Sequence, residues 1–158
     1  MSLRDELLAA NTRYRATFAL GDLPREPRRR LVVVTCMDAR IDPLAIVGLE
    51  LGDAHVLRNA GAVVTDDVLR SLAISHAVLG TEEALVIGHT GCGLEGASND
   101  ELRALVGAGS DVDFLPFPDV EESVRAGVRR IRSSHLLPSS FGASGYVYDV
   151  TSGALRGL

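Results

Sequence analysis

Residues 31–40 read Leu31-Val32-Val33-Val34-Thr35-Cys36-Met37-Asp38-Ala39-Arg40. The first five are apolar or β-branched without a break, the pattern of a strand buried on both faces. The run ends at a thiol, after which a carboxylate and a guanidinium follow at alternate positions. Such a strand needs covering layers, so this stretch predicts an α/β domain with chemistry at a strand's carboxyl end.

Working outward, residues 41–49 predict a short helix opened by Asp42 and Pro43, and Gly52-Asp53 turns the chain into a second strand over 54–58. A longer helix follows. Thr65 is its N-cap, Asp66 and Asp67 suit its positive end, Val68, Leu69, Leu72, Val78 and Leu79 give its apolar face, and Gly80 stops it. Residues 84–87 form a third buried strand that runs into Gly88-His89. Residues 99–106 and 119–131 predict two more helices, separated by an irregular piece holding Phe114, Pro116, Phe117 and Pro118. Residues 146–150, the Thr151-Ser152-Gly153 turn and residues 154–158 predict a closing strand or hairpin.

Upstream, Leu3, Leu7, Leu8, Tyr14 and Phe18 recur at helical spacing, and residues 21–30 follow with Pro24, Pro27 and four Arg. This predicts a helical arm over 1–20 and a linker over 21–30. The expected whole is one domain over 1–158: three-layer, with a mostly parallel central sheet flanked by helices. A chain of 158 residues, 46% hydrophobic, can bury one sizeable core and is too short for two ordinary domains.

Sixteen Arg and no Lys against 21 acids give a net charge of −5, so no basic field exists to hold nucleic acid or an anionic membrane. With no Trp and 4% aromatics, stacking platforms for single strands are not expected either. No apolar stretch approaches the roughly twenty residues of a membrane span, and residues 1–6 lack the pattern of a secretory signal. A cytoplasmic protein is expected. Its two cysteines, Cys36 and Cys92, then suit metal or catalytic chemistry better than a disulfide.

Both thiols fall in short motifs after strands: residues 36–40 and His89-Thr90-Gly91-Cys92. Residues two apart in extended chain point the same way, so Cys36 and Asp38 can aim at one point, while a tight turn at Gly91 can bring His89 to Cys92. Two thiolates, an imidazole and a carboxylate or water make a four-coordinate set that suits zinc. Taken singly, Cys36 reads as an inert core thiol and His89 as a hydrogen-bonded turn residue. In combination, with Asp38 and Arg40 beside them, they read as a zinc site.

Three blocks, residues 36–40, 52–61 (Gly52-Asp53-Ala54-His55-Val56-Leu57-Arg58-Asn59-Ala60-Gly61) and 88–93 (Gly88-His89-Thr90-Gly91-Cys92-Gly93), resemble the β-class carbonic anhydrases in content, order and spacing. The resemblance extends from about residue 31 to the closing hairpin, and the short length is like that of the small bacterial branch. It implies zinc held by Cys36, His89 and Cys92, a catalytic pair of Asp38 and Arg40, and reversible hydration of carbon dioxide to bicarbonate. Asp38 either takes the fourth metal position or, held by Arg40, accepts a hydrogen bond from the attacking water. In the first case the site is closed, and activity is expected to rise as pH climbs above about neutrality. The family acts as a homodimer or a dimer of dimers, and a swapped N-terminal arm would account for the apolar stripe before the linker. The chain departs from many relatives at His55, Ala62, Gly91 and Leu94, none of them an expected ligand.

Other readings compete. Residues 91–96 satisfy G-x-G-x-x-G, with Asp111 and Asp113 at a distance expected of a ribose-binding acid, although no clear strand leads into Asp111. The same zinc ligands could serve a hydrolase of carbonyl sulfide or carbon disulfide, or a non-catalytic sensory module with no use for Arg40. His55, His76 and His135 read as packing or partly exposed structural residues, Phe114 and Phe117 as core cover. Arg28-Arg29-Arg30 reads as a solvated linker or a set of ion pairs at a subunit contact.

Overall fold

The structure is a computed structural model that describes residues 1–107, 109 and 111–158. Five strands form one sheet in the order β2-β1-β3-β4-β5: β1 (Leu31–Cys36), β2 (Ala54–Asn59), β3 (Glu83–His89), β4 (Gly142–Tyr148) and β5 (Leu155–Gly157). The first four run parallel, and β5 closes the sheet as the antiparallel arm of a hairpin with β4. The α-helices among the described residues are α1 (Leu3–Thr17), α2 (Asp66–Leu79), α3 (Asn99–Val106) and α4 (Val120–Arg132). The α/β fold with a mostly parallel, helix-flanked sheet and a C-terminal hairpin is as expected.

The central strand β1 is buried from Val32 to Cys36, as its unbroken apolar run requires. Alternate residues Val32 and Val34 share one buried cluster with Val86 of β3, with Leu69 and Leu72 of α2, and with Val124, Val128 and Ile131 of α4. The termini of α2 follow the signals in the chain: Thr65 Oγ1 accepts the Val68 N–H, and Gly80 ends the helix at φ +71°. Val78 stands 60% exposed, outside the apolar face assigned to it.

Two elements differ from expectation. Residues 41–49 contain only a single 3₁₀ turn, Ala45–Val47, because Asp42 draws the N–H groups of Leu44 and Ala45 onto its own carboxylate and Gly48 ends the turn at φ +66°. Strand β4 begins at Gly142, four residues before the expected start, in a Gly-Ala-Ser-Gly run that hides its alternation. The small residues have a packing cause: a Cβ at Gly145 would lie 2.8 Å from Val124 Cγ1. Gly88 within β3 is smaller still in its needs, since a Cβ there would lie 2.6 Å from Val120 and 2.7 Å from Val124.

Two arginines of the run 28–30 form ion pairs within the chain. Arg28 pairs with Asp53 at 2.9 Å and Arg30 with Glu82 at 2.8 Å, tying the linker to the entries of β2 and β3. Helix α1 buries none of its residues, and Leu7, Leu8 and Tyr14 are each more than half exposed. Among the described residues no helix is long and apolar enough to cross a membrane.

Candidate metal centre

Parallel strands β1 and β3 are neighbours, so their carboxyl ends deliver Cys36 and His89 to one edge of the sheet. Beyond β3 the chain turns at Gly91, φ +64°, and returns Cys92 to the same place. One ligand atom from each of Cys36, His89 and Cys92 lies within 4.8 Å of the other two, and all three residues are buried.

The imidazole is fixed for ligation. A carbonyl can only accept, so the 3.0 Å contact of His89 Nδ1 with Thr90 O places the proton on Nδ1 and leaves the lone pair on Nε2. That Nε2 is buried without a hydrogen-bond partner. An unpartnered polar atom in an interior costs on the order of 1–3 kcal/mol, and a cation is the partner that an imidazole lone pair beside two sulfurs calls for. Tetrahedral zinc, with bonds of about 2.0–2.3 Å, spaces its ligand atoms by under about 4 Å, and the three donors, within 4.8 Å of one another, need only a small side-chain adjustment to reach that spacing.

The sulfurs are conditioned by backbone donors. The Gly61 N–H donates to Cys36 Sγ at 3.3 Å, and the Leu94 N–H donates to Cys92. Burial, with the neighbouring Cys36 adding to it, pushes the Cys92 thiol up. The buried Cys92 thiol therefore resists ionising, and a divalent cation beside it would reverse that balance.

Asp38 sits at the rim, its Oδ2 3.9 Å from His89 Nε2. Arg40 engages both carboxylate oxygens: Nε donates to Oδ1 at 2.9 Å, Nη2 to Oδ2 at 2.7 Å, and the Arg40 backbone N–H to Oδ1 at 2.9 Å. These bonds, the side-chain pair first, hold the Asp38 carboxyl far below the usual carboxylate range, and Asp38 in turn raises Arg40. Arg40 Nη2 also donates to Gly91 O at 3.2 Å, coupling the pair to the loop that carries Cys92. A cavity of about 310 Å³ opens over the cluster between Met37, Asp38, Ala60 and Leu94. Two cavities of about 480 Å³ and one of about 510 Å³ lie elsewhere, so size alone does not choose the site.

The structure thus brings Cys36, Asp38, Arg40, His89 and Cys92 together. It does not build a dinucleotide site from the glycines at 91–96. No helix opens on them; the segment instead pairs with Phe117, Gly96 N–H donating to Phe117 O at 2.8 Å and Phe117 N–H to Leu94 O at 3.2 Å. Phe117 is buried, as expected of core cover, and His135 is exposed. His55 joins Ser75 at 2.7 Å and His76 joins Thr81 O at 2.6 Å, both structural. Sequence reasoning missed the Gly61 N–H and the Arg58 side chain, which donates to Cys36 O at 2.9 Å and Asp38 O at 2.7 Å. The signal for Arg58 was its place at the carboxyl end of a strand beside β1.

Comparison with known proteins agrees with this geometry. The sequence model of the carbonic anhydrase family matches residues 31–108. Beta-carbonic anhydrase 1 of Mycobacterium tuberculosis is 40% identical over 99% of this chain and 98% of its own length. A carbonic anhydrase crystal structure from Streptococcus mutans, 44% identical, superposes with a TM-score of 0.91 over 99% of this chain and 98% of that one. A carbon disulfide hydrolase of Acidithiobacillus thiooxidans is 37% identical over 81% of this chain and 76% of its own length. With a Cys-His-Cys group able to bind the zinc that these enzymes use, the chain belongs to the β-carbonic anhydrase family.

Proposed function

We propose that this protein hydrates carbon dioxide reversibly to bicarbonate and a proton, with zinc held by Cys36, His89 and Cys92 and with Asp38 and Arg40 as its catalytic pair. The observation that carries the reading is the unpartnered buried Nε2 of His89 facing two sulfurs, next to a carboxylate locked in its ionised form. Bound zinc supplies Lewis-acid activation of a water at neutral pH.

The protein's own groups do the rest. Cys36 and Cys92 would hold the metal as thiolates, and Arg40 holds the neighbouring Asp38 in its ionised form. Asp38, ionised and held by Arg40, accepts a hydrogen bond from the attacking water and so directs its lone pair toward the substrate carbon. Its Oδ2 lies 3.9 Å from His89 Nε2, beside the metal donors. Leu94 and Ala60 give the cavity apolar wall suited to a small linear substrate without charge. Both Asp38 oxygens are engaged by Arg40, and this two-oxygen pair supports the open arrangement.

The same sequence span serves carbon disulfide hydrolases, but that reading has less support, since the relatives of that name match over a smaller share of their length. We further propose a cytoplasmic homodimer, built from a single domain over residues 1–158. The support for the dimer is α1: Leu3, Leu7 and Leu8 on it and Phe18 at its C-cap find no cover within their own chain, and a lone 15-residue helix is marginal in water. The test is stopped-flow hydration of carbon dioxide by the purified protein as isolated, after zinc removal and after zinc is restored, with carbon disulfide as a second substrate. Carbon dioxide turnover that vanishes and returns with zinc is the expected result. Bound zinc with turnover of carbon disulfide alone, or of neither, would overturn it.

A further inference from the structure

Arg58 ends in a position that the reaction itself does not require. Parallel register sets it beside Thr35, one residue short of the β1 terminus, and its guanidinium reaches over the point where the chain leaves the sheet. There Nε donates to Cys36 O at 2.9 Å and Nη2 to Asp38 O at 2.7 Å. One planar group therefore holds the two carbonyls on either side of Met37. Those carbonyls belong to the residue that offers a sulfur to the metal and to the residue that offers the carboxylate. Fixing both peptide planes fixes the directions in which Cys36 Sγ and the Asp38 carboxylate project.

Water could satisfy carbonyls at an exposed strand end, but water imposes no geometry between them. A guanidinium does, because its donors form a rigid fork and its charge strengthens each bond. Across the site, Arg40 Nη2 fastens the same segment to Gly91 O, so the segment carrying the catalytic pair is tied to β2 on one side and to the Cys92 loop on the other. We propose that Arg58 is a positioning residue: it clamps residues 36–38 so that the Asp38–Arg40 pair keeps its place relative to the metal donors. The proposal rests on the zinc reading above.

The experiment compares wild type, Arg58→Ala and Arg58→Lys, each loaded with zinc for turnover and with cobalt(II) for its visible spectrum. Arg58→Ala is expected to keep one metal per chain, to lose at least about tenfold in zinc-normalised carbon dioxide hydration, and to shift the cobalt bands. Arg58→Lys is expected to recover little, since one ammonium cannot fork two carbonyls, whereas added guanidinium ion should partly restore Arg58→Ala. Turnover within about twofold of wild type with an unchanged cobalt spectrum would overturn the proposal. Should Arg58→Ala lose its metal, guanidinium decides: recovery of metal content supports the clamp, and none overturns it. A wild-type protein that binds zinc without turnover would defeat the functional reading alone, because the cobalt spectra still report on the clamp.

Discussion

Gly88 offers the sharpest link between packing and the metal centre. It precedes His89 in β3, and a Cβ placed on it would lie 2.6 Å from Val120 Cγ2 and 2.7 Å from Val124 Cγ2. Ordinary carbon contacts lie at about 3.5–4.0 Å, so Gly88→Ala forces the start of α4 outward by about 1 Å. Overpacking of this kind costs about 1–3 kcal/mol, and for a chain of this size each kcal/mol lowers Tm by about 2–4 °C. The expected drop is therefore roughly 2–12 °C, measured by denaturant and thermal unfolding at fixed protein concentration. Because the obstacle is the valine methyls, the same substitution in a Val120→Ala, Val124→Ala background should cost less than about 0.5 kcal/mol. The strain also reaches the neighbouring ligand, so single Gly88→Ala should release zinc to a chelator more readily. An equal cost in both backgrounds, or none in either, would show that the valine methyls are not the obstacle.

Other expectations follow from the same geometry. His89→Ala removes the ligand whose Nε2 is unpartnered and should leave substantially less than one zinc per chain, as read by metal analysis after dialysis. Leu7→Glu with Leu8→Glu places charge in the exposed stripe of α1, and light scattering should show the assembly shifting toward monomer. Asp53, held down chiefly by the Glu50 N–H, and Asp149, held down chiefly by the Thr151 N–H, have depressed values in the folded state. Their contribution is present above the ordinary Asp value near 3.8 and is lost as pH falls through the lower folded values, so Tm should decline below about pH 4. Asp53→Asn together with Asp149→Asn should lower Tm near neutrality and flatten that decline.

What the chain revealed and what it concealed divide along physical lines. Strand β1 was legible because burial on both faces demands an unbroken apolar run, and α2 because Thr65 and Gly80 mark its ends. The Cys-His-Cys group that could hold a metal was legible because the chain has two thiols and each falls in a motif at the carboxyl end of a strand, β1 at Cys36 and β3 at His89. Strand β4 was obscured by Gly142 and Gly145, which answer to the approach of α4 and not to strand propensity. The helix expected over 41–49 shrank to one turn because the local pull of Asp42 outweighed the apolar spacing. Arg58 could not be assigned from its own neighbours in sequence, since its partners lie 22 and 20 residues away and only the parallel register brings them near. The lone pair of His89 is likewise a property of the folded interior.

In the proposed reaction an Arg40-held Asp38 works beside a metal bound by Cys36, His89 and Cys92. Its most direct test is carbon dioxide hydration by wild type and Asp38→Ala, each normalised to its measured zinc. About one zinc per chain is expected in both proteins, with a fall in turnover of about 10²-fold or more in the variant, the range of general acid–base assistance. Equal turnover per zinc in the two proteins, or a variant that loses its zinc with Asp38, would contradict it.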